Sequence, residues 1–285
     1  MFELIGAAAL IMAGWGIADF LNGVLSKNSG PYYTNFWGSV FIFLITLPVY
    51  LVFFYPKTIS PGYWPTIAAY SLLVVGSFWS FLKALQAGKV SLIVPICSAY
   101  GILSMMLSML FLRETLQPNQ IAGIIISTAG LILVTINFAE IRRLKVNTEV
   151  AGLKYAILTF ILWGIIFTFA AKIVKDTDWF TPFFFASFIT IPVAFALMLL
   201  KERRIRLPDR HILPTYLLAA ITGQGAFLVY AASLGKFPSA LLAPISAGYP
   251  ALTVILAHYF LKERITMLQY FGTGLIIAGL IVAAA

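Results

Sequence analysis

Ten apolar stretches, each close to the length of a helix that crosses a membrane, take up almost the whole of this chain. They run approximately over residues 3–26, 32–55, 64–87, 90–112, 119–138, 150–174, 180–200, 213–234, 239–261 and 265–285. A hydrocarbon core about 30 Å thick takes about 20 helical residues to cross. Backbone N–H and C=O groups find no water there, so only helices and closed barrels span it. The stretches lack the alternation of barrel strands, and they predict an all-α integral membrane protein of ten transmembrane helices. Only 10% of the 285 residues are charged, against about 25% in a soluble domain. The connections are short; EIRRLKVNTE at 140–149 and KERRIRLPDRH at 201–211 alone have real polar content, which leaves no room for a soluble domain.

The net charge of +9 sits in short clusters between apolar runs. Bilayer surface and the positive-inside rule account for such clusters, so nucleic acid is not an expected partner and the lipid bilayer is. The single cysteine, Cys97, lies within an apolar run and permits no internal disulfide. The opening MFELIG carries an acid where a cleaved signal would carry bases, so the first stretch is expected to be retained.

The chain also repeats itself at an offset of 149 residues. Pro65-Thr66 matches Pro214-Thr215, Gly76 matches Gly225, Pro95-Ile96 matches Pro244-Ile245, Tyr100 matches Tyr249, Glu114 matches Glu263, and Gly123 matches Gly272. Trp15-Gly16 and Trp163-Gly164, at an offset of 148, extend the register to the first helix of each half. Two units follow, residues 1–139 and 150–285, joined by the basic link 140–149. Five helices per unit is an odd number, so the second copy enters the membrane in the opposite sense, giving two inverted five-helix repeats around a central cavity.

Trp-Gly in the first helix of each half, LIVPICSAYG and LLAPISAGYP, FLRETL and FLKERI, and a glycine-bearing fifth helix together resemble the ten-helix, EamA-like branch of the drug/metabolite transporter superfamily. The resemblance covers essentially the whole chain, twice. It implies that the first four helices of each half surround the cavity, that the fifth and tenth lie at the periphery, and that access alternates between the two sides. It implies a small-molecule substrate without naming it, since such families carry amino acids, nucleotide-linked sugars, drugs and other metabolites. The residues agree about the tenth helix, which after Gln269 and Tyr270 has only Thr273 as a polar side chain. Gly123 with Gly130, and Gly272 with Gly279, stand two turns apart on one face, where small residues let another backbone approach. That face serves packing within the chain, or a homodimer through helices 5 and 10.

Within the first stretch, Asp19 lies only about 7 Å from the middle of its span at 1.5 Å per residue, where facing lipid costs on the order of 3 kcal/mol or more. It should face the interior, with Trp15 and Asn22 on the same helical face. Lys83, in the same leaflet, is its expected partner, unless it extends to the interface instead. A pair would favour a neutral or zwitterionic solute such as an amino acid; without it, Asp19 serves as a proton-coupling carboxylate or as counter-ion to a cation. Trp79, Ser80, Ser98, Tyr100, Trp163, Thr168, Gln224, Tyr230, Ser246, Tyr249 and Thr253 complete the expected lining. Pro95 and Pro244 fall near the starts of their helices, while Pro48, Pro192 and Pro250 lie deeper, where a missing N–H loosens a helix; all five are gating candidates. Glu114 and Glu263, at helix ends, are expected in ion pairs or caps before gates.

No Walker, HExxH or GxSxG motif occurs, so neither an enzyme nor a cofactor or metal site is expected. The reading is a secondary carrier, exporting an amino acid or similar metabolite by alternating access, in a prokaryotic cell membrane. The alternatives are a channel or scramblase-like protein, and an exporter of organic cations or drugs that uses Asp19. Bases concentrate on one side, chiefly Arg142, Arg143, Lys145, Lys201, Arg203, Arg204, Arg206 and Arg210. The positive-inside rule then places both termini outside, whereas familiar members of the resembling family have both inside.

Overall fold

The computed structural model describes residues 2–135, 149–262 and 266–285. Glu263, Arg142, Arg143, Lys145 and most of the link 140–149 lie outside them. The described residues form α1 (Phe2–Ser29), α2 (Pro31–Val49), α3 (Trp64–Ala87), α4 (Val90–Ser98), α5 (Tyr100–Phe111), α6 (Pro118–Thr135), α7 (Glu149–Asp176), α8 (Thr181–Glu202), α9 (Leu213–Ser233), α10 (Ser239–Ser246), α11 (Pro250–Leu261) and α12 (Met267–Ala284). Among them there is no strand. Nine spans among the described residues are long and apolar enough to cross a membrane, and the apolar helix α6 is shorter. The all-helical membrane fold expected from hydropathy is therefore the one observed.

The expected fourth and ninth helices are each broken in two, at repeat-equivalent places. α4 ends at Ser98 and α5 starts at Tyr100; α10 ends at Ser246 and α11 starts at Pro250. Pro95 and Pro244 lie inside the short first pieces rather than at their starts, and Pro250 opens α11 rather than kinking a helix interior. A proline can neither donate to the carbonyl four residues back nor avoid it sterically. In the last turn of α4, Ser98 Oγ donates to the Pro95 carbonyl at 2.8 Å. The two joints cross, because Gly101 leaves room there: a Cβ on it would lie 2.7 Å from Ala247 Cβ and 2.8 Å from Pro244 Cα. Pro48 lies near the end of α2, and the next turn, Tyr50–Phe54, is π-helical. Pro192 is interior to α8.

Helix contacts recur with the halves exchanged. α1 packs on α9 as α7 packs on α3; α5 packs on α7 as α11 packs on α1; α5 meets α10 as α11 meets α4. The second helices, α2 and α8, pack on each other, and so do the fifth, α6 and α12. The Trp-Gly motif has a physical reason in both copies. A Cβ on Gly16 would lie 2.9 Å from Leu252 Cβ and one on Gly164 2.6 Å from Leu103 Cγ, so each glycine lets the opposite half's distal helix close in.

The α6–α12 seam uses the four glycines reciprocally. A Cβ on Gly123 would lie 2.5 Å from the Gly279 carbonyl, and one on Gly130 2.5 Å from that of Gly272. Gln269 Nε2 donates across the seam to the Val134 carbonyl at 3.0 Å, and Gln269 also completes the capping box of α12 with Thr266. The glycine face is therefore covered within the chain, which is the packing use of the two expected and not the homodimer. Gly279→Ala is expected to destabilise the protein by about 1–3 kcal/mol through overpacking, whereas Gly274→Ala, with nothing within 4 Å, leaves the thermal midpoint unchanged or slightly raised. Thermal unfolding in detergent measures both; equal midpoints for the two variants remove the seam's role.

Candidate functional site

A cavity of ≈240 Å³ lies between the halves. Periodicity explains which side chains reach it. Trp15, Ala18, Asp19, Asn22 and Leu25 come from one face of α1, Thr34, Gly38 and Ile42 from α2, and Tyr70, Val74 and Ser77 from α3, all at spacings of three and four. Trp163, Ile166 and Phe167 of α7, Phe183 of α8, Gln224 and Phe227 of α9, and Tyr100 and Tyr249 at the two joints complete the wall. No Lys, Arg or His is among the lining residues.

Its aromatic frame obeys the repeat. Trp15 meets Tyr249 with ring centroids 5.8 Å apart, and their counterparts Trp163 and Tyr100 meet at 5.7 Å, each pair joining one half to the other. The symmetry fails at several polar positions, and at one ionisable side chain. At the offset of 148 that relates the two Trp-Gly motifs, Asp19 corresponds to Phe167, which stacks on Tyr100 at 4.4 Å. Asp19 is only 6% exposed; its Oδ2 and the hydroxyls of Tyr100 and Tyr249 make no well-formed hydrogen bond, and the Tyr249 hydroxyl is the Asp19 carboxyl's near neighbour.

The two ends of the cavity differ. Toward one, Ile67, Tyr70, Ile166, Ile173 and Phe183 form a continuous apolar cluster. Toward the other, Tyr216 lines both the cavity and a recess of ≈920 Å³ bounded by Asn28, Ser29, Trp37, Arg206 and His211. Tyr216 Oη lies 3.5 Å from Thr34 Oγ1, spanning α9 to α2. Tyr33 and Trp37 donate to the Arg204 and Arg206 carbonyls, at 2.7 and 3.0 Å, and tie the basic loop to α2.

The model of the EamA-like transporter family matches residues 4–136 and 150–285, both halves in turn. The chain belongs to that family. It is a multi-pass membrane transporter of small solutes. This EamA-like chain is also 35% identical over 115 residues to an uncharacterised protein of Methanocaldococcus jannaschii, a match spanning 40% of this chain and 82% of the relative. The relative is thus about half as long, the size of one repeat. A solved crystal structure superposes with a TM-score of 0.74 over 98% of both chains at 15% identity, which is a likeness of fold.

Not every expected lining residue of the EamA-like chain reaches the cavity. Lys83 does not face Asp19: its Nζ lies 5.0 Å from the centre of the Tyr32 ring. Six residues beyond Ser77, it is turned about 240° around α3 from the lining face. Trp79 packs against Tyr32 and Tyr155 instead. Ser80 is engaged by Thr159 at 2.7 Å, Thr168 by Ser104 and the Gly164 carbonyl, and Thr253 by the Gly16 carbonyl. These hydroxyls staple one half to the other. Ser98 Oγ bonds back to the Pro95 carbonyl of its own helix, and Ser246 is buried in the last turn of α10, outside the lining. Tyr230 stands behind the wall, with its hydroxyl on Ser239 and its ring on Trp15. Glu114 is an ion-pair and capping residue: it meets Lys175 at 2.6 Å and accepts the Ala240 N–H at the start of α10 at 2.8 Å.

Thr34, Gly38, Tyr70, Phe167, Phe183, Tyr216 and Phe227 also line the cavity and are not among the residues expected there. Most are aromatic or small residues in apolar helices and carry no signal of their own. Phe167 did have one, since the repeat register sets it opposite Asp19.

Proposed function

We propose that this protein is a secondary carrier that holds its solute at Trp15, Asp19, Asn22, Tyr100, Trp163, Gln224 and Tyr249. Access to that site alternates between the two sides as the inverted halves rearrange. The observation that carries the reading is the pair of repeat-related Trp–Tyr contacts, each joining the two halves, beside a buried carboxylate that has no cationic neighbour in the wall. Sites at the interface of inverted repeats, flanked by broken helices, are the places a carrier can open to either side. The joints at 99 and 247–249, with Pro95, Pro244 and Pro250 around them, are the proposed hinges; Pro48 and Pro192 bend α2 and α8.

An amino-acid zwitterion would need a cation for its carboxylate, and the expected one, Lys83, points elsewhere. The wall therefore supports the alternative, a positively charged organic solute with Asp19 as counter-ion. On the return stroke a proton takes the solute's place on that carboxylate, because a bare charge at this depth is costly. One charge replaces another, and an inward proton gradient then drives export from a prokaryotic cell.

Counterflow tests this reading. Proteoliposomes loaded with unlabelled solute, chosen by a thermal-shift screen, are expected to accumulate labelled solute transiently above equilibrium, saturably, and faster with acid on the opposite side. Flux that neither saturates nor overshoots identifies a channel or scramblase instead.

A further inference from the structure

We propose that the cavity takes a primary ammonium on a small apolar or aromatic tail, its three N–H groups held by Asp19 Oδ2 and the hydroxyls of Tyr100 and Tyr249. This rests on the carrier reading and narrows it to one chemical class. A buried polar atom without a partner is uncommon and costly, and here three of them line one cavity. Tyr100 is 1% exposed and Tyr249 2%. All three can accept, and an R–NH3 group is a donor only, with three N–H groups. The count matches.

The geometry also separates this solute from its nearest rivals. A quaternary ammonium would gain from aromatic faces but has no N–H to donate to any of the three oxygens. A zwitterion would bring a second charge into a wall without Lys, Arg or His. Outside Asp19 there is no group of acid, histidine or cysteine ligands for a metal ion among the described residues. The break in symmetry orients the solute, since the charge goes to Asp19 and the tail toward its counterpart Phe167. A space of ≈240 Å³ limits that tail to about one ring, below the roughly 300 Å³ at which drug-sized pockets start.

The test compares four probes by calorimetry on the full chain in detergent: 2-phenylethylamine, its N,N,N-trimethyl analogue, 2-phenylethanol and phenylalanine. The primary amine is expected to bind about 10- to 100-fold more tightly than each of the others, the range for hydrogen bonds to a charged group. Tyr100→Phe and Tyr249→Phe should each weaken the amine about tenfold and leave the trimethyl analogue unchanged. The ligand series on the unaltered chain decides the matter even where a variant fails to fold. Equal or tighter binding of the trimethyl analogue or of phenylalanine overturns the proposal, and so does an absence of binding by all four. Counterflow of some other solute in that last case leaves the carrier reading standing, whereas no counterflow of any solute removes the carrier reading itself.

Discussion

Asp19→Asn is expected to reduce exchange about 100-fold or more while leaving the bundle assembled and no less stable. The two effects have opposite signs for one reason. The carboxylate lies in the central part of α1, 6% exposed and without a cationic neighbour among the lining residues. Holding a charge there costs on the order of 3 kcal/mol, and an amide of the same shape removes that cost. The amide also removes the group proposed to pair with the solute, and charge-assisted hydrogen bonds contribute about 1.5–3 kcal/mol each. Loss of one pairing and of its Coulomb attraction together gives two or more decades in exchange. Proteoliposome counterflow measures the first effect and the detergent melting midpoint the second. The pH dependence supplies a third readout: under the proposed competition of proton and solute for Asp19, exchange by the natural chain is expected to vary with pH and any residual exchange by the variant to be flat. Exchange at the natural rate, with an unchanged pH profile, takes Asp19 out of the mechanism.

Much of this was readable without coordinates, and the reason differs between the fold and the site. Span positions follow from hydropathy because a bilayer imposes one length on every helix, so Trp64–Ala87 and Leu213–Ser233 fall within a residue of the expected limits. The breaks in the fourth and ninth spans were not readable. A proline six residues into a span reads as a tolerated early proline, and only the crossing at Gly101 shows that the chain stops and restarts there. Depth along a helix is easy to compute, but direction around it is not. Asp19 and Lys83 share a leaflet, yet Lys83 lies on the face of α3 directed at Tyr32. Hydroxyls were the weakest guide. Ser80, Thr168 and Thr253 looked like lining and turned out to join the two halves, as serine and threonine do when a backbone carbonyl or another hydroxyl is within reach.

Gly38→Leu is expected to abolish exchange and raise stability. Gly38 stands inside α2 with its Cα toward the cavity, and a Cβ there would meet nothing closer than Phe78 Cε1 at 4.0 Å. An isobutyl group fits without displacing backbone, and leucine in place of glycine within a helix gains up to about 1 kcal/mol in propensity. The same group fills a substantial part of a space of only ≈240 Å³, so a solute with a ring no longer fits beside Asp19. Gly76→Leu is the control: it too replaces a helical glycine with nothing within 4 Å, in α3, away from the lining residues. It should keep exchange within about twofold and show the same propensity gain. Counterflow and melting midpoints on the pair separate occlusion from misfolding, because a misfolded Gly38→Leu melts lower and an occluded one does not. A Gly38→Leu protein that melts normally and still exchanges solute at the natural rate places the transport path elsewhere in the bundle.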